Sequence, residues 1–374
     1  MVANLALAAS PGNAGEEWAT RVAGRYDVQA RDDAPDPEWD DYLTGVTGNH
    51  HVQSSLWGQV NRCLGWRAAR LIATCGRTIT AGAQVLFRPL SDEAAVGYVP
   101  NGPVFATDDP ALRRALFSEL SSLAQRHRIQ FLIVQPPANA MGWVHELPEL
   151  GFKESAAKLG LTATVLLDLS LDLDAILSQM RARTRYNVRL SSRSGIRVRE
   201  GAADDLDTYY QLLVTTSRRQ RFAIHPKCYF ADMWRFLAPA GHLKLFLAEY
   251  QGEVVSAQLA VAFGDTVVNK LSVWSGAQSA GKPNEALQWH AICWARSHGY
   301  RYLDLEGIDP RAAAAVLGGH PLPPDLQQSF SLFKLGFGGT TLLLPGTYDH
   351  IYDQPMRAFY DLILAHAGAF SLGA

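Results

Sequence analysis

The chain has 374 residues and a formal charge of −2, and 48% of its residues are hydrophobic. This length suggests two or three domains and favours two, and the apolar content excludes an intrinsically disordered chain. No 18-residue apolar run occurs and the N-terminus lacks the basic start of a signal peptide, so we expect a cytoplasmic protein without a membrane span. The four cysteines lack Cys-x-x-Cys spacing, which argues against a zinc site and fits a reducing compartment.

The first part of the chain alternates helix and strand patterns. Pro37 opens a short helix, and Ser54 or Ser55 can cap a second one. A longer amphipathic helix is predicted from Pro110 to about Arg126, because its leucines recur every three or four residues. Strands are predicted at 68–74, 79–87, 94–99 and 129–134.

The same order of elements recurs about 170 residues later, a period too long for a solenoid. The strand pair at 71–87, which contains Ala83-Gln84, has a counterpart at 245–263 with Ala257-Gln258. A helix at 285–297 and a buried strand at 302–305 then follow, as in the first copy.

This repeat predicts an α/β (α+β) fold of two tandem domains with mixed sheets. A hairpin that leads into a strand–helix–strand crossover is the layout of GCN5-related acetyltransferase (GNAT) domains. We place the first domain at 26–155 together with 346–374, and the second at 156–345, after a flexible tail at 1–25. Helical patterns at 172–193, 204–219 and 226–237 separate the copies, and another is predicted at 355–366.

The densest charge feature lies at 181–199, where seven arginines occur among 19 residues without an acidic residue. Such a concentration of positive charge is typical of a phosphate or RNA contact, although a solvated basic helix face is the alternative. Arginine is common throughout this chain, but lysine occurs only seven times, so each lysine is more informative.

A second motif, Phe333-Lys334 followed by a glycine-rich turn, ends the second repeat. From the pattern alone, Lys334 is either a functional cation or a side chain that complements the last carbonyls of its helix.

Together, these motifs resemble the Fem family of non-ribosomal peptidyltransferases, which move an amino acid from aminoacyl-tRNA onto an amine. The resemblance extends over roughly residues 37–350 and is to the short form without a helical hairpin, because no sustained heptad pattern occurs. Its anchors, in chain order, are Gln53-Ser54-x-x-Trp57, Gly102-Pro103-Val104, Arg185-x-Asn187-Val188-Arg189, Arg219-x-x-Phe222 with Tyr229-Phe230, Trp289-x-x-x-x-Trp294-Ala295, Asp304-x-x-Gly307 and Phe333-Lys334-x-x-Phe337-Gly338.

The resemblance implies that Phe333 and Lys334 match the family's catalytic pair. A protonated Lys334 would stabilise the oxyanion of the tetrahedral intermediate or the departing ribose oxygen, and the carbonyl of Phe333 would orient the amine. Aminolysis of an ester is downhill, so the protein mainly has to position the reactants and stabilise charge. No dedicated strong base is needed if the acceptor amine arrives neutral or gives its proton to water. Aminoacyl-tRNA would be the co-substrate of a monomer without metal or other cofactor, and it would contact Arg181, Arg183, Arg185, Asn187, Arg189 and Arg193.

We expect an acceptor-binding surface formed by Asn61, Trp57, Tyr98, Arg219, His225, Tyr229 and Trp274, with core packing as the alternative for Tyr229 and Trp274. Asn61 and His225 stand where many members have a lysine and an arginine that would hold a diphosphate. The strand ending at Gln135 also lacks the acidic residue that members often carry. We therefore expect a small soluble amine as acceptor, in specialised-metabolite (antibiotic) biosynthesis. Alternatively, Arg62 and Arg219 do the same work, and the acceptor is a muropeptide precursor of the peptidoglycan bridge.

Other functions fit less well. An acyl-CoA-dependent GNAT N-acyltransferase needs backbone donors for the CoA pyrophosphate, but Pro283 stands in the equivalent loop. A non-catalytic RNA-binding module would explain the arginines but not Phe333-Lys334. The pair His50-His51 lacks acidic neighbours and is not expected to bind a metal. We interpret Asp304, at a strand end, as a structural hydrogen-bond acceptor rather than a base.

Overall fold

The computed structural model describes residues 25–46, 50–155 and 160–352. The predicted tail, except Arg25, and the predicted helix at 355–366 lie outside the described residues. The helices of the described residues are α1 Pro37–Gly45, α2 Ser55–Val60, α3 Pro110–Arg126, α4 Leu173–Gln179, α5 Ala182–Ser191, α6 Leu206–Gln220, α7 Lys227–Leu237, α8 Pro283–Ser297, α9 Pro310–Leu317 and α10 Phe330–Leu335. The strands are β1 Asp27–Arg31, β2 Arg67–Cys75, β3 Thr78–Pro89, β4 Ala95–Val99, β5 Val104–Phe105, β6 Ile129–Val134, β7 Lys153–Glu154, β8 Ala163–Asp168, β9 Arg197–Glu200, β10 Leu243–Tyr250, β11 Glu253–Phe263, β12 Thr266–Trp274, β13 Tyr302–Asp304, β14 Thr340–Leu343 and β15 Tyr348–Ile351.

The strands form two mixed sheets, each of which is the centre of one lobe. The first lobe carries the order β1-β2-β3-β4-β6-β15-β7, with β5 paired to β3. The second lobe carries the order β14-β8-β13-β12-β11-β10-β9. The near-C-terminal strand β15 thus joins the first sheet, although it follows every strand of the second. The domain boundaries at 155 and 345 stay predictions.

The two lobes repeat one unit, as the sequence predicts. In the first, the hairpin β2–β3 leads into β4, the helix α3 and the parallel neighbour β6. In the second, the hairpin β10–β11 leads into β12, α8 and the parallel neighbour β13. The predicted class of two GNAT-like units with mixed sheets is confirmed.

Local sequence explains why α3 forms where it does. Asp109 caps its first turn by accepting the N–H of Ala111 at 2.8 Å, and Pro110 occupies the first helical position. The periodic leucines of α3, among them Leu112 and Leu116, are fully buried against the first sheet. Burial of one such side chain contributes roughly 1.5–3 kcal/mol.

The predicted continuous helix at 172–193 is wrong, because the chain breaks into α4 and α5 at Met180 and Arg181. Both residues have extended backbones, with ψ of 148° and 145°. Met180 is buried in the core of the second lobe, and the N–H of Arg181 donates to the carbonyl of Gly336 at 2.9 Å. A contact distant in sequence therefore overrides the local helical pattern.

Side chains from both lobes share a hydrophobic core. Trp57 and Tyr98 of the first lobe belong to the same buried cluster as Tyr229 and Leu245 of the second. This shared core holds the two sheets beside a cavity that both lobes line. Within the described part of the chain, no helix has the length and apolar character needed to cross a bilayer.

Candidate active site

A cavity of about 270 Å³ lies where the two sheets meet. Parallel strands β4 and β6 end at its first-lobe wall, which includes Tyr98 and Gln135. The second-lobe wall carries most of the charge, from Lys270 of β12, Asp304 of β13 and Glu306 just beyond β13. The cavity therefore joins a polar, uncharged wall to a wall with cations and carboxylates.

Lys334 lies beside this charged wall. Its ammonium donates to the carbonyl of Glu306 and, at 2.9 Å, to that of Gly307. Burial lowers the pKa of Lys334 to about 8, although the charges of Glu306 and Asp304 act in the opposite direction. The contacts are to a segment remote in sequence, so Lys334 does not bind the last carbonyls of its own helix as the capping alternative requires.

The Phe333 carbonyl accepts the N–H of Gly336 at 3.1 Å, which leaves it a second lone pair. The Phe333 ring is half-buried and packs edge-on against Phe337, with 5.2 Å between the ring centroids. The catalytic roles of Phe333 and Lys334 stay predictions.

A second lysine, Lys270, forms an almost buried ion pair with Glu306, at 2.8 Å. The Lys270 ammonium also lies 5.2 Å from the centre of the Trp57 ring, a cation–π arrangement across the two lobes. Sequence analysis did not single out Lys270 or Glu306. The scarcity of lysine in the chain was the signal that could have identified Lys270.

Asp304 is the most perturbed carboxyl group of the cavity wall. Its Oδ1 accepts the Thr164 hydroxyl and, at 2.7 Å, the N–H of Glu306. Burial raises the pKa of Asp304 to about 6, with the negative charge of Glu306 in the same direction, while Thr164, the N–H of Glu306 and the charge of Lys334 oppose the rise.

Three of the predicted acceptor-binding residues form an aromatic group around Lys270. The Trp57 and Tyr229 rings meet edge-on at 6.1 Å, and the His225 ring lies 4.2 Å from Tyr229. Burial lowers the pKa of His225, and the Lys270 charge lowers it further, so His225 is uncharged here at neutral pH. A neutral imidazole cannot replace the arginine that would hold a diphosphate.

The other predicted acceptor residues lie in different settings. Tyr98 lines the cavity, and its hydroxyl donates to the Gln135 side chain at 2.5 Å. Asn61 is the residue that ends α2, and its buried side-chain amide donates to the carbonyl of Trp57 in that helix. Arg219 is exposed and stacks over Trp274 at 4.8 Å, and neither residue is among the described residues that line the cavity. Their roles stay predictions.

The basic segment is attached directly to the Phe333-Lys334 helix. The N–H of Arg181, just before α5, donates to the carbonyl of Gly336. A Cβ at Gly336 would lie 2.3 Å from the Thr184 hydroxyl, and a Cβ at Gly338 would lie 2.6 Å from the Gln179 carbonyl. Glycine at position 336 therefore allows the end of α10 to approach α5, and glycine at position 338 allows the following turn to approach the end of α4, so whatever binds α5 is held near the helix that carries Lys334.

The residues of the basic segment divide into two groups. Arg185 donates to three carbonyls at the end of α4, and Asn187 donates to Glu285 of α8 at 2.8 Å, so both already have structural contacts. The remaining predicted tRNA contacts are exposed, and the described contacts give them no side-chain partner: Arg181, Arg183, Arg189 and Arg193. Tyr186, exposed to 65%, projects from the same helix.

Comparison with known proteins places this chain in a family. Residues 34–249 match the model of the FemAB family. Lipid II:glycine glycyltransferase of Staphylococcus haemolyticus (strain JCSC1435) is 23% identical over 229 residues, which is 58% of this chain and 55% of the relative. The same enzyme of Staphylococcus aureus (strain MRSA252) is 23% identical over 223 residues, 57% of this chain and 53% of the relative. The chain thus spans about half the length of the curated relatives it matches.

Solved structures agree with the fold. The crystal structure of FemX superposes with a TM-score of 0.77 at 19% identity, covering 90% of this chain and 100% of that one. A tandem GNAT protein from the clavulanic acid biosynthesis pathway gives a TM-score of 0.52 at 10% identity, covering 88% and 99%. The family match extends over more than half of the described fold and includes the basic helix and the aromatic group around Lys270. The chain belongs to the FemAB family.

Proposed function

We propose that this protein transfers an amino acid from aminoacyl-tRNA to an amine of a peptidoglycan precursor, forming an amide bond. Membership of the FemAB family and relatives named lipid II:glycine glycyltransferases support this class of reaction. These relatives favour the cell-wall alternative over a small amine of antibiotic biosynthesis, which the sequence had led us to prefer.

One observation carries the proposal: the basic segment begins at Arg181, whose N–H donates to the Gly336 carbonyl at the end of the helix that carries Lys334. A tRNA acceptor stem whose phosphates contact Arg183 and Arg189 would have its 3′ end near the cavity. Phosphate contacts fix position without reading sequence, so they suit a protein that must accept the end of a charged tRNA.

The chemistry needed at the 3′ end is aminolysis of an ester. The amine nitrogen attacks the ester carbonyl, the tetrahedral intermediate carries a negative oxygen, and the ribose oxygen departs. Lys334 has three N–H groups and gives two to the carbonyls of Glu306 and Gly307, so one is left for the oxyanion or for the ribose oxygen. A donor held in this way loses little freedom when the charge develops.

The acceptor side is less positively charged than a diphosphate site requires. Lys270 is the single lysine or arginine among the described residues that line the cavity, and its charge is neutralised by the ion pair with Glu306. The rings of Trp57, Tyr229 and the neutral His225 surround this pair in place of further cations, although Trp57 and Tyr229 are buried and none of the three is among the described residues that line the cavity. We infer that the enzyme binds the peptide part of the precursor here rather than its phosphates.

The test is a transfer assay with a mixed pool of radiolabelled aminoacyl-tRNAs. Lipid II, UDP-MurNAc-pentapeptide and a small soluble diamine are supplied separately, and the mass of each acceptor is measured. We expect a tRNA-dependent mass increase on a muropeptide acceptor, abolished by ribonuclease. Transfer to the small amine alone would support the antibiotic-pathway alternative. Transfer from acetyl-CoA without tRNA would overturn the proposal in favour of an acyl-CoA-dependent enzyme.

A further inference from the structure

The two carboxylate oxygens of Asp304 have different surroundings. Both hydrogen bonds that the described structure gives to this side chain, from the Thr164 hydroxyl and from the N–H of Glu306, reach Oδ1. Oδ2 receives none from the described residues, and Asp304 lines the cavity. One oxygen is therefore fixed and orients the group, while the other is available to a molecule in the cavity.

Among the acids described as lining the cavity, Asp304 is the one that is at least half-buried, is not part of an ion pair, and has an oxygen that receives no hydrogen bond from the described residues. The described lining residues include two other acids, Asp265 and Glu306. Glu306 is in the ion pair with Lys270, and Asp265 is exposed and accepts the hydroxyl of Thr266 at 2.8 Å. No acid comes from the first-lobe residues that are described as lining it.

We propose that Asp304 is the general base of the transfer reaction, with Oδ2 as the atom that takes the proton. This inference rests on the proposed function, since it concerns the aminolysis step. It replaces our interpretation of Asp304 as a structural acceptor only: Oδ1 has that structural role, and Oδ2 is left for chemistry.

The proton balance of the step closes on Asp304. As the acceptor nitrogen forms its bond to the ester carbonyl carbon, one N–H proton moves to Oδ2. The carbon–oxygen bond to the ribose then breaks, and the same proton moves from Oδ2 to the ribose oxygen. The products are the amide and a tRNA with a free ribose hydroxyl, and Asp304 is again a carboxylate. Lys334, beside it, stabilises the oxyanion between these two transfers.

The charged and titratable surroundings of Asp304 fit this role. The carboxyl pKa of about 6 lies close to neutral pH, where a base is both largely ionised and able to hold a proton. The groups that act on it directly are Glu306 from its own loop, Lys334 from α10 and the Thr164 hydroxyl from β8. The other titratable groups that line the described cavity are Lys270, Asp265, Tyr302, Tyr98 and His50. Burial raises the pKa of the Tyr98 phenol and lowers the pKa of His50 to about 3, so both are uncharged near pH 7.

The direct test is Asp304→Asn, measured by single-turnover transfer from aminoacyl-tRNA to the acceptor identified above. Asparagine keeps an oxygen for the Thr164 hydroxyl and the N–H of Glu306 but cannot take a proton. We expect the transfer rate to fall about 10²–10⁴-fold, with unchanged affinity for aminoacyl-tRNA. Asp168→Asn is the matched control, because it removes an exposed carboxylate from the adjacent strand β8 and should keep the wild-type rate.

A second variant keeps the proposal testable if Asp304→Asn fails to fold. Thr164→Val removes the hydroxyl that holds the pKa of Asp304 down, so the acidic limb of the rate profile should move to higher pH. A purely structural Asp304 would leave that limb where it is.

The outcomes separate this inference from the proposed function. Wild-type rates in Asp304→Asn, or an unmoved limb in Thr164→Val, would overturn the base while the transferase function stands. A wild-type protein that transfers nothing from any aminoacyl-tRNA would overturn the function itself, and the base with it. A slow Asp304→Asn together with a moved limb in Thr164→Val supports the base.

Discussion

Lys334 offers the sharpest test of the proposed mechanism, because its structural and chemical contributions have different sizes. The ammonium donates to the carbonyls of Glu306 and Gly307, at a turn where both residues have left-handed backbones with φ of 45° and 67°. Lys334→Ala removes the charge and these bonds, Lys334→Met removes the charge but keeps most of the stem, and Lys334→Arg keeps the charge in a planar group.

The expected loss of stability is small. Hydrogen bonds from a charged donor contribute about 1.5–3 kcal/mol each, which favours the folded state with Lys334 in place. Against this, burial holds the pKa of Lys334 at about 8 rather than 10.5. That shift corresponds to a penalty of roughly 3 kcal/mol for keeping the ammonium charged at neutral pH. The two bonds together contribute about 3–6 kcal/mol, which leaves a net of roughly 0–3 kcal/mol after this penalty. We therefore expect the melting temperature of Lys334→Met to lie no more than a few degrees below that of the wild type.

The expected loss of rate is large. Removal of one preorganised oxyanion donor costs about 10²–10³ in turnover, or roughly 3–4 kcal/mol. Single-turnover transfer with excess protein isolates the chemical step from binding and product release. Filter binding of aminoacyl-tRNA and thermal unfolding measure the two other contributions separately. We expect Lys334→Ala and Lys334→Met to lose transfer by this factor while they still bind tRNA.

Lys334→Arg distinguishes the mechanism from a structural clamp. A guanidinium can still donate to the Glu306 and Gly307 carbonyls, but it places its charge differently from a compact ammonium. We therefore expect its transfer rate to be impaired as well. Full transfer by Lys334→Arg, or a lowered melting temperature in Lys334→Ala without slower transfer, would refute the reasoning.

Four further measurements test the site. Replacing both Arg183 and Arg189 by Ala should raise the KM for aminoacyl-tRNA and flatten the dependence of log affinity on log salt by about 0.7–0.9 per contact; an unchanged slope would remove these residues from the tRNA surface. Because an ammonium with a pKa of about 8 loses its proton above that pH, transfer should slow as pH rises through 8, measured over seconds because the ester is base-labile. Because the unfolded lysine binds its proton more tightly, the stability of the wild type relative to Lys334→Met should rise between pH 8 and 10.5; a difference in melting temperature that stays constant over this range would contradict the burial of Lys334. Gly338→Ala, whose Cβ would lie 2.6 Å from the Gln179 carbonyl at a φ of 79°, should destabilise the protein by more than 1 kcal/mol and push the turn after α10 away from the end of α4; a melting temperature equal to the wild type would show that this contact does not matter.

The sequence alone determined the elements whose pattern is local. Helix α3 and strand β6 lie where leucine spacing and an apolar run predict them, because these patterns reflect burial against a single neighbouring layer. The duplication was visible for the same reason, since each copy repeats a short-range order. Lys334 could be singled out because one motif contains it.

Tertiary structure decided the break in the basic segment and the chemistry around Lys334. The helix breaks at Met180 and Arg181 because Met180 packs into the core of the second lobe and the N–H of Arg181 donates to the Gly336 carbonyl. Both contacts are to residues distant in sequence. The carboxylate of Asp304 is oriented by Thr164, 140 residues earlier in the chain. A pKa depends on burial and on the charges brought within a few ångströms, and folding alone brings those groups together.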